Sequence, residues 1–169
     1  KISFPEPLVP RPSRLEIDER LYADGQARTE LNEETVRAAV KTLVDQGIES
    51  IAVSLLHAYR NPAHEQRVGA IIAEMAPNIP ISLSSEVLPE MKEYERTSTT
   101  VINAYAKPAA ANYLNRLNQR MADAGAASEL LLMLSSGGTT TSATAREFPV
   151  QIIESGPAAG ALEIGRAHV

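Results

Sequence analysis

This chain has no cysteine, no tryptophan and only two phenylalanines. Without cysteine there are no disulfides, no thiolate nucleophile and no cysteine-ligated metal centre. Aromatic residues make up 4% of the chain and hydrophobic residues 44%. The interior must therefore be built from Ala, Leu, Ile and Val, a composition that favours helices packed on a sheet. Positive charge is not in excess, since 16 Lys and Arg stand against 21 Asp and Glu for a formal net charge of −5. That balance argues against a broad surface for nucleic acid or anionic membrane, while a local basic pocket stays open. No apolar run approaches the roughly 20 residues needed to span a bilayer, so the default expectation is a soluble cytoplasmic protein. The GxxxxGK[ST] phosphate loop, the GxGxxG dinucleotide fingerprint and the GxSxG nucleophile elbow are all missing.

At 169 residues the chain fits one domain, or one small domain and part of another. It opens on Lys1, and Pro5, Pro7, Pro10 and Pro12 mark residues 1–12 as an extended connector inside something longer. Residues 14–21 alternate loosely as a strand, with Asp24-Gly25 as a turn. Asn32 is placed to cap a helix carrying Val36, Ala39, Val40, Leu43 and Val44, which Gly47 stops. Residues 48–56 form a β-branched apolar run suited to a buried parallel strand. Asn61-Pro62 opens a second helix with Val68, Ile71, Ile72 and Met75 on one face, and residues 79–83 follow as a strand. This strand–helix–strand order predicts a βαβ crossover and a mostly parallel sheet. A long helix is expected from Ser98 to Gly125, kinked or restarted at Pro108. Strands are expected at 130–134 and 150–153, a short helix at 142–147, and a further helix from Pro157. The closing IGRAHV, residues 164–169, matches one reading frame of a common sequencing adapter. Residues 163–169, with His168, are therefore set apart from the fold.

Residues 84–108, SSEVLPEMKEYERTSTTVINAYAKP, place Glu90, Glu93, Glu95 and Arg96 before a helix whose start carries Thr97, Ser98, Thr99 and Thr100. Helix capping with solvated ion pairs accounts for such a cluster. The functional alternative is that Arg96 and a hydroxyl bind an anion that a glutamate orients, with Asn103 and Tyr105 on the same face. Two later turns, Ser135-Ser136-Gly137-Gly138 and Ser155-Gly156-Pro157, end apolar runs with small residues whose N–H groups suit an anion. Taken alone this is a weak signal, and a tight strand-to-helix turn is the simpler account of both. His57 and His64 have no compact set of acidic or histidine partners nearby in sequence, so no metal site is expected.

The segments HAYRNPAHE (57–65), LSSEVLPEMKEYERTSTTVINAYAKP (83–108), LLMLSSGG (131–138) and ESGPAAG (154–160) occur in an order that resembles the hydantoinase/oxoprolinase family, over nearly all of residues 11–162. The resemblance implies that 13–88 closes the family's N-terminal domain and that 89–162 opens its hydantoinase A domain. It implies an α/β fold that is a fragment of an actin-like (ribonuclease H-like) ATPase with βαβ units. It also implies ATP- and Mg²⁺-dependent opening of a cyclic amide such as hydantoin or 5-oxoproline through phosphorylation of the amide oxygen, often with a B-type partner subunit or domain. Carried over by motif, Ser136, Gly137, Gly138, Ser155 and Gly156 would line the nucleotide cleft, and Glu93, Arg96 and Thr99 would be catalytic candidates near the ring. The family's Asp-x-Gly-Gly-Thr phosphate loops are missing, expected before Lys1 and after Leu162. An interior fragment without ATPase activity of its own follows. An ATP-dependent ketone carboxylase subunit of the same family and a non-catalytic α/β binding module are the alternatives.

Overall fold

The computed structural model describes residues 6–126 and 128–166. The chain divides into two compact units, Lys1–Tyr105 and Ala106–Val169.

In the first unit the Pro-rich opening ends in a 3-10 turn at Arg11–Ser13. An antiparallel pair follows, β1 (Arg20–Leu21) and β2 (Ala27–Thr29). The expected strand at 14–21 shrinks to two residues, because the chain reverses at once: the Gly25 N–H donates to the Tyr22 carbonyl and the Gln26 N–H to Asp24 Oδ1. Helix α1 (Glu33–Asp45) begins where the sequence places it. Asn32 Oδ1 accepts from the Glu34 N–H at 3.1 Å, satisfying one of the donors that a helix start leaves open. Gly47, at φ 71°, takes the left-handed conformation that ends it.

Strand β3 (Ile51–Val53), helix α2 (Ala63–Met75) and strand β4 (Ile81–Leu83) form the expected βαβ unit. The strands are parallel, with Ile51 opposite Ile81 and Val53 opposite Leu83. Asn61 Oδ1 accepts from the Ala63 N–H at 3.1 Å, so the Asn-Pro signal marks the true start of α2. One core joins these elements: Val36 and Val40 of α1, Val68, Ile71 and Ile72 of α2, and Ile51, Val53 and Leu83 of the strands. Each such side chain contributes about 1.5–3 kcal/mol by leaving water. A Cβ at Gly69 would meet Leu83 Cδ1 at 3.4 Å, an ordinary packing contact.

A short helix α3 (Ser84–Val87) follows β4 directly, and α4 (Glu93–Asp123) contributes to both units. The long helix starts at Glu93 instead of Ser98 and runs on through Pro108 without a restart. The hydroxyl run 97–100 reads as a cap in sequence, yet Thr100 Oγ1 donates to the Arg96 carbonyl at 2.7 Å. That back-bond lets a hydroxyl sit inside a helix.

In the second unit β5 (Leu131–Met133) and β6 (Thr139–Thr141) form an antiparallel hairpin. Helix α5 (Ser142–Glu147) is tied to α4 by Lys107 Nζ to Glu147 Oε2 at 2.6 Å, Asn118 Nδ2 to Ser142 Oγ at 3.0 Å and Arg146 Nη1 to Asn115 Oδ1 at 2.7 Å. A 3-10 turn (Pro149–Ile152) and helix α6 (Ser155–Arg166) complete it. Residues 150–153 are not a strand, because Pro149 fixes φ at the start of the 3-10 turn, and so short an apolar run carries no period of its own. The mostly parallel sheet is replaced, among the described residues, by three two-stranded sheets, of which β3–β4 is the parallel one. The segment 163–169 lies partly outside the described residues.

Candidate functional site

The C-terminal ends of β3 and β4 carry a buried polar network. Glu65, in the first turn of α2, is fully buried. Its Oε1 accepts from the Leu55 N–H at 2.8 Å and from Ser84 Oγ at 2.6 Å, and its Oε2 accepts from the Ser85 N–H at 2.8 Å. One carboxylate thus satisfies a backbone donor just beyond each strand. Arg96 of α4 is also fully buried. Its Nε donates to Ser84 Oγ at 3.1 Å, Nη1 to the Glu90 carbonyl and Nη2 to the Leu55 carbonyl, both at 2.9 Å. The guanidinium carbon lies 5.6 Å from the centre of the Tyr59 ring, within reach of a cation–π attraction. Ser84 therefore bridges a buried anion and a buried cation, accepting from one and donating to the other. The pairing offsets the cost of burying each charge.

Further hydroxyls and amides extend the same layer. Ser54 Oγ and Thr97 Oγ1 are 2.7 Å apart, and Asn103 Nδ2 donates to Ser82 Oγ at 3.0 Å. The buried face of α4 here is Arg96, Thr100 and Asn103, with Ala104 beside them. Ser85 Oγ is buried with no hydrogen-bond partner among the described residues. His57, just beyond β3, holds a φ of 61°, uncommon for a side-chain-bearing residue, and its ring packs edge-on to Tyr59 at 6.1 Å.

The residues singled out in residues 84–108 do not converge. Glu93 is exposed, Thr99 is half-buried and Arg96 is buried with its guanidinium bonded to protein. Asn103 points inward while Tyr105 is 67% exposed, so they do not share a face. Glu65 and Ser84 hold the network together and were not singled out from sequence. A signal for Glu65 existed, because it precedes Val68 by three residues and Ile72 by seven, on the stripe that α2 buries.

In the second unit residues 134–138 are a hairpin loop instead of a strand-to-helix turn. The Leu134 N–H donates to the Gly138 carbonyl at 2.7 Å and the Gly137 N–H to the Leu134 carbonyl at 3.0 Å. Gly137 takes φ 92°, which a side chain would strain. Its N–H is spent within the turn and is not open to an anion. The loop is joined to the segment before α6: the Ser135 N–H donates to the Gln151 carbonyl at 2.7 Å, and the Glu154 N–H donates to Ser135 Oγ at 3.1 Å. An open depression is lined by Leu134, Ser135, Ser136 and Gln151. Ser155 and Gly156 form the first turn of α6, and a Cβ at Gly156 would meet nothing within 4 Å. Two exposed serines and an unobstructed helix start suit a phosphate. Among the described residues no group of three or more His, Asp or Glu could hold a metal ion.

Two family descriptions match the chain: the hydantoinase/oxoprolinase N-terminal region over residues 1–76 and hydantoinase/oxoprolinase over residues 96–168. The chain belongs to the hydantoinase/oxoprolinase family. It is similar to an uncharacterized protein of Methanocaldococcus jannaschii, with 42% identity over 95% of this chain and 24% of that protein. It is also similar to the caprolactamase subunit alpha of Pseudomonas jessenii, with 36% identity over 89% of this chain and 22% of the subunit. The crystal structure of the ATP-dependent caprolactamase from that organism superposes with a TM-score of 0.86 over 91% of this chain and 22% of its own, at 36% identity. The nucleotide-free structure of acetone carboxylase, described as ATP-dependent, gives a TM-score of 0.86 at 32% identity, over 98% of this chain and 24% of its own. The chain thus spans about a quarter of the length of the proteins it matches.

Proposed function

We propose that this chain is part of an ATP-dependent enzyme that opens cyclic amides. The observation that carries this reading is its likeness in sequence and fold to an ATP-dependent caprolactamase over 91% of its length, within a family defined by hydantoinases and oxoprolinases. In the whole enzyme an actin-like ATPase fold surrounds the nucleotide, and the enzyme works in the cytoplasm with a B-type partner subunit or domain. ATP supplies a phosphoryl group to the amide oxygen, which makes the ring carbonyl open to water. This chain's residues bind and orient. Ser136, Gly137, Gly138, Ser155 and Gly156 line the nucleotide cleft, with the Ser136 hydroxyl and the first turn of α6 facing phosphate. Gly137 serves by shaping the loop. Magnesium would be held largely by the family's Asp-x-Gly-Gly-Thr loops, which this chain lacks. Glu93 and Thr99 lie toward the ring substrate, and Arg96 acts as a positioning residue through Ser84 and the Leu55 carbonyl.

A second reading, an ATP-dependent ketone carboxylase subunit, is favoured by the likeness to acetone carboxylase over 98% of the chain. The two separate in one assay of the full-length polypeptide with its partner subunit, reading ADP release. A cyclic-amide hydrolase releases ADP with hydantoin, 5-oxoproline or caprolactam and needs no bicarbonate. ADP release that requires both bicarbonate and a ketone transfers the assignment to the carboxylase. Release with neither leaves a binding module.

A further inference from the structure

We propose that His64 is a proton-dependent latch holding the β1–β2 hairpin to the start of α2. His64 sits in the first turn of α2 with its side chain 12% exposed, and Nδ1 lies 2.8 Å from Glu19 Oε2, on a side chain 5% exposed. Its other ring nitrogen, Nε2, lies 3.7 Å from Glu30 Oε2. Glu19 immediately precedes β1 and Glu30 immediately follows β2. Both carboxylates therefore come from the stem of one hairpin, Glu19 at hydrogen-bond distance and Glu30, on a side chain 88% exposed, at the longer distance of an ion pair.

Only the imidazolium has an N–H for each side. A neutral ring keeps one, so whichever carboxylate meets the bare nitrogen faces a lone pair. Charge also shortens and strengthens the remaining bond. Of the other charged groups on the neighbouring elements, Asp18, Arg20 and Arg28 of the hairpin are exposed, and Glu65 and Arg67 of α2 are bonded elsewhere. Glu65, next on α2, turns inward to Leu55, Ser84 and Ser85. Arg67 of α2 is bonded to Glu33 of α1. Strands β3 and β4, reading IAV and ISL, present no ionisable side chain. The N-terminus of α2 itself disfavours a cation, which leaves Glu19 and Glu30 as the groups that hold the charge.

A second tie between the same elements does not titrate: Asn61 Nδ2 donates to the Gly25 carbonyl at the hairpin tip at 2.9 Å. Loss of the proton therefore loosens the stem while the tip stays attached. The turn so released is the one that carries Glu65 into the strand-end network, which links the hairpin to the layer beyond β3 and β4. The latch acts on the hairpin through pH, independently of the proposed reaction.

Amide hydrogen exchange of the 169-residue chain at about pH 5.5 and about pH 8 reads the latch once intrinsic rates are divided out. The reporters are the two stem amides, Asp18, bonded to Thr35 Oγ1, and Asn32, bonded to the Asp18 carbonyl. Their protection should be roughly fivefold greater at the lower pH, the size expected when the donor of a carboxylate-accepted hydrogen bond also becomes charged. His64→Gln should abolish the difference, Glu30→Gln at its exposed position should shrink it, and His57→Asn should leave it in place. Equal protection at both pH values in the parent chain overturns the latch, as does a difference that survives His64→Gln. If His64→Gln does not fold, a full response retained in Glu30→Gln overturns it instead.

Discussion

Arg96 and Glu65 show how a charged side chain comes to be wholly buried. Each is satisfied by backbone groups and by the shared Ser84 hydroxyl, so neither is left to pay desolvation alone. Removing one partner is therefore the damaging change. Arg96→Met should cost about 3–5 kcal/mol of unfolding free energy, because it strands the Glu65 carboxylate in the interior. Glu65→Gln together with Arg96→Met should cost less than the two single losses added. Urea unfolding monitored by circular dichroism measures both, and strict additivity would mean that the two charges do not interact through Ser84. Local sequence could not reveal this. Arg96 stands among exposed Glu93, Tyr94 and Glu95, and only its spacing to Thr100 and Asn103, four and then three residues on, marks the inward stripe.

Helices α1 and α2 are joined on their outer faces by alternating charges. Arg67 Nε lies 2.7 Å from Glu33 Oε1, Arg37 Nη2 lies 3.2 Å from Glu74 Oε2, and longer contacts of 3.8 and 3.6 Å close the set. The hydrogen bond from Arg67, with the charges of Arg67 and Arg37, holds the Glu33 carboxyl below its usual value. Because the folded-state value is the lower one, this contribution to stability is present above the ordinary carboxylate range and is lost as pH falls through the folded-state value. The thermal midpoint should drop on acidification, less steeply in Glu33→Gln. Added salt should flatten that difference, since these side chains are exposed and screened. An acid slope identical in the parent and in Glu33→Gln would remove Glu33 from the cause. Both helices were legible in sequence because their signals are local: Asn32, Asn61-Pro62 and the apolar stripes. The hairpin β5–β6 was not, because Leu131–Met133 and Thr139–Thr141 identify each other only by pairing, and an apolar strand ending in Gly-Gly serves a hairpin as well as a helix start.

For the whole molecule, the chain spans about a quarter of the length of the relatives it matches and lacks the Asp-x-Gly-Gly-Thr loops expected to hold phosphate. The isolated chain should therefore release no phosphate from ATP above background in a colorimetric assay. Turnover by the purified chain would show that a complete nucleotide site lies within it. The sequence by itself determined the family, through motifs in a fixed order. It also determined the βαβ unit of β3, α2 and β4, because caps and apolar periods act over a few residues. Tertiary structure alone decided that the sheet is not extended and parallel, and that Gly137 spends its N–H inside a turn. It also decided that Glu65 and Arg96 meet across Ser84, and that His64 rests between Glu19 and Glu30. Those outcomes depend on groups far apart in the chain whose burial and pairing no local pattern encodes.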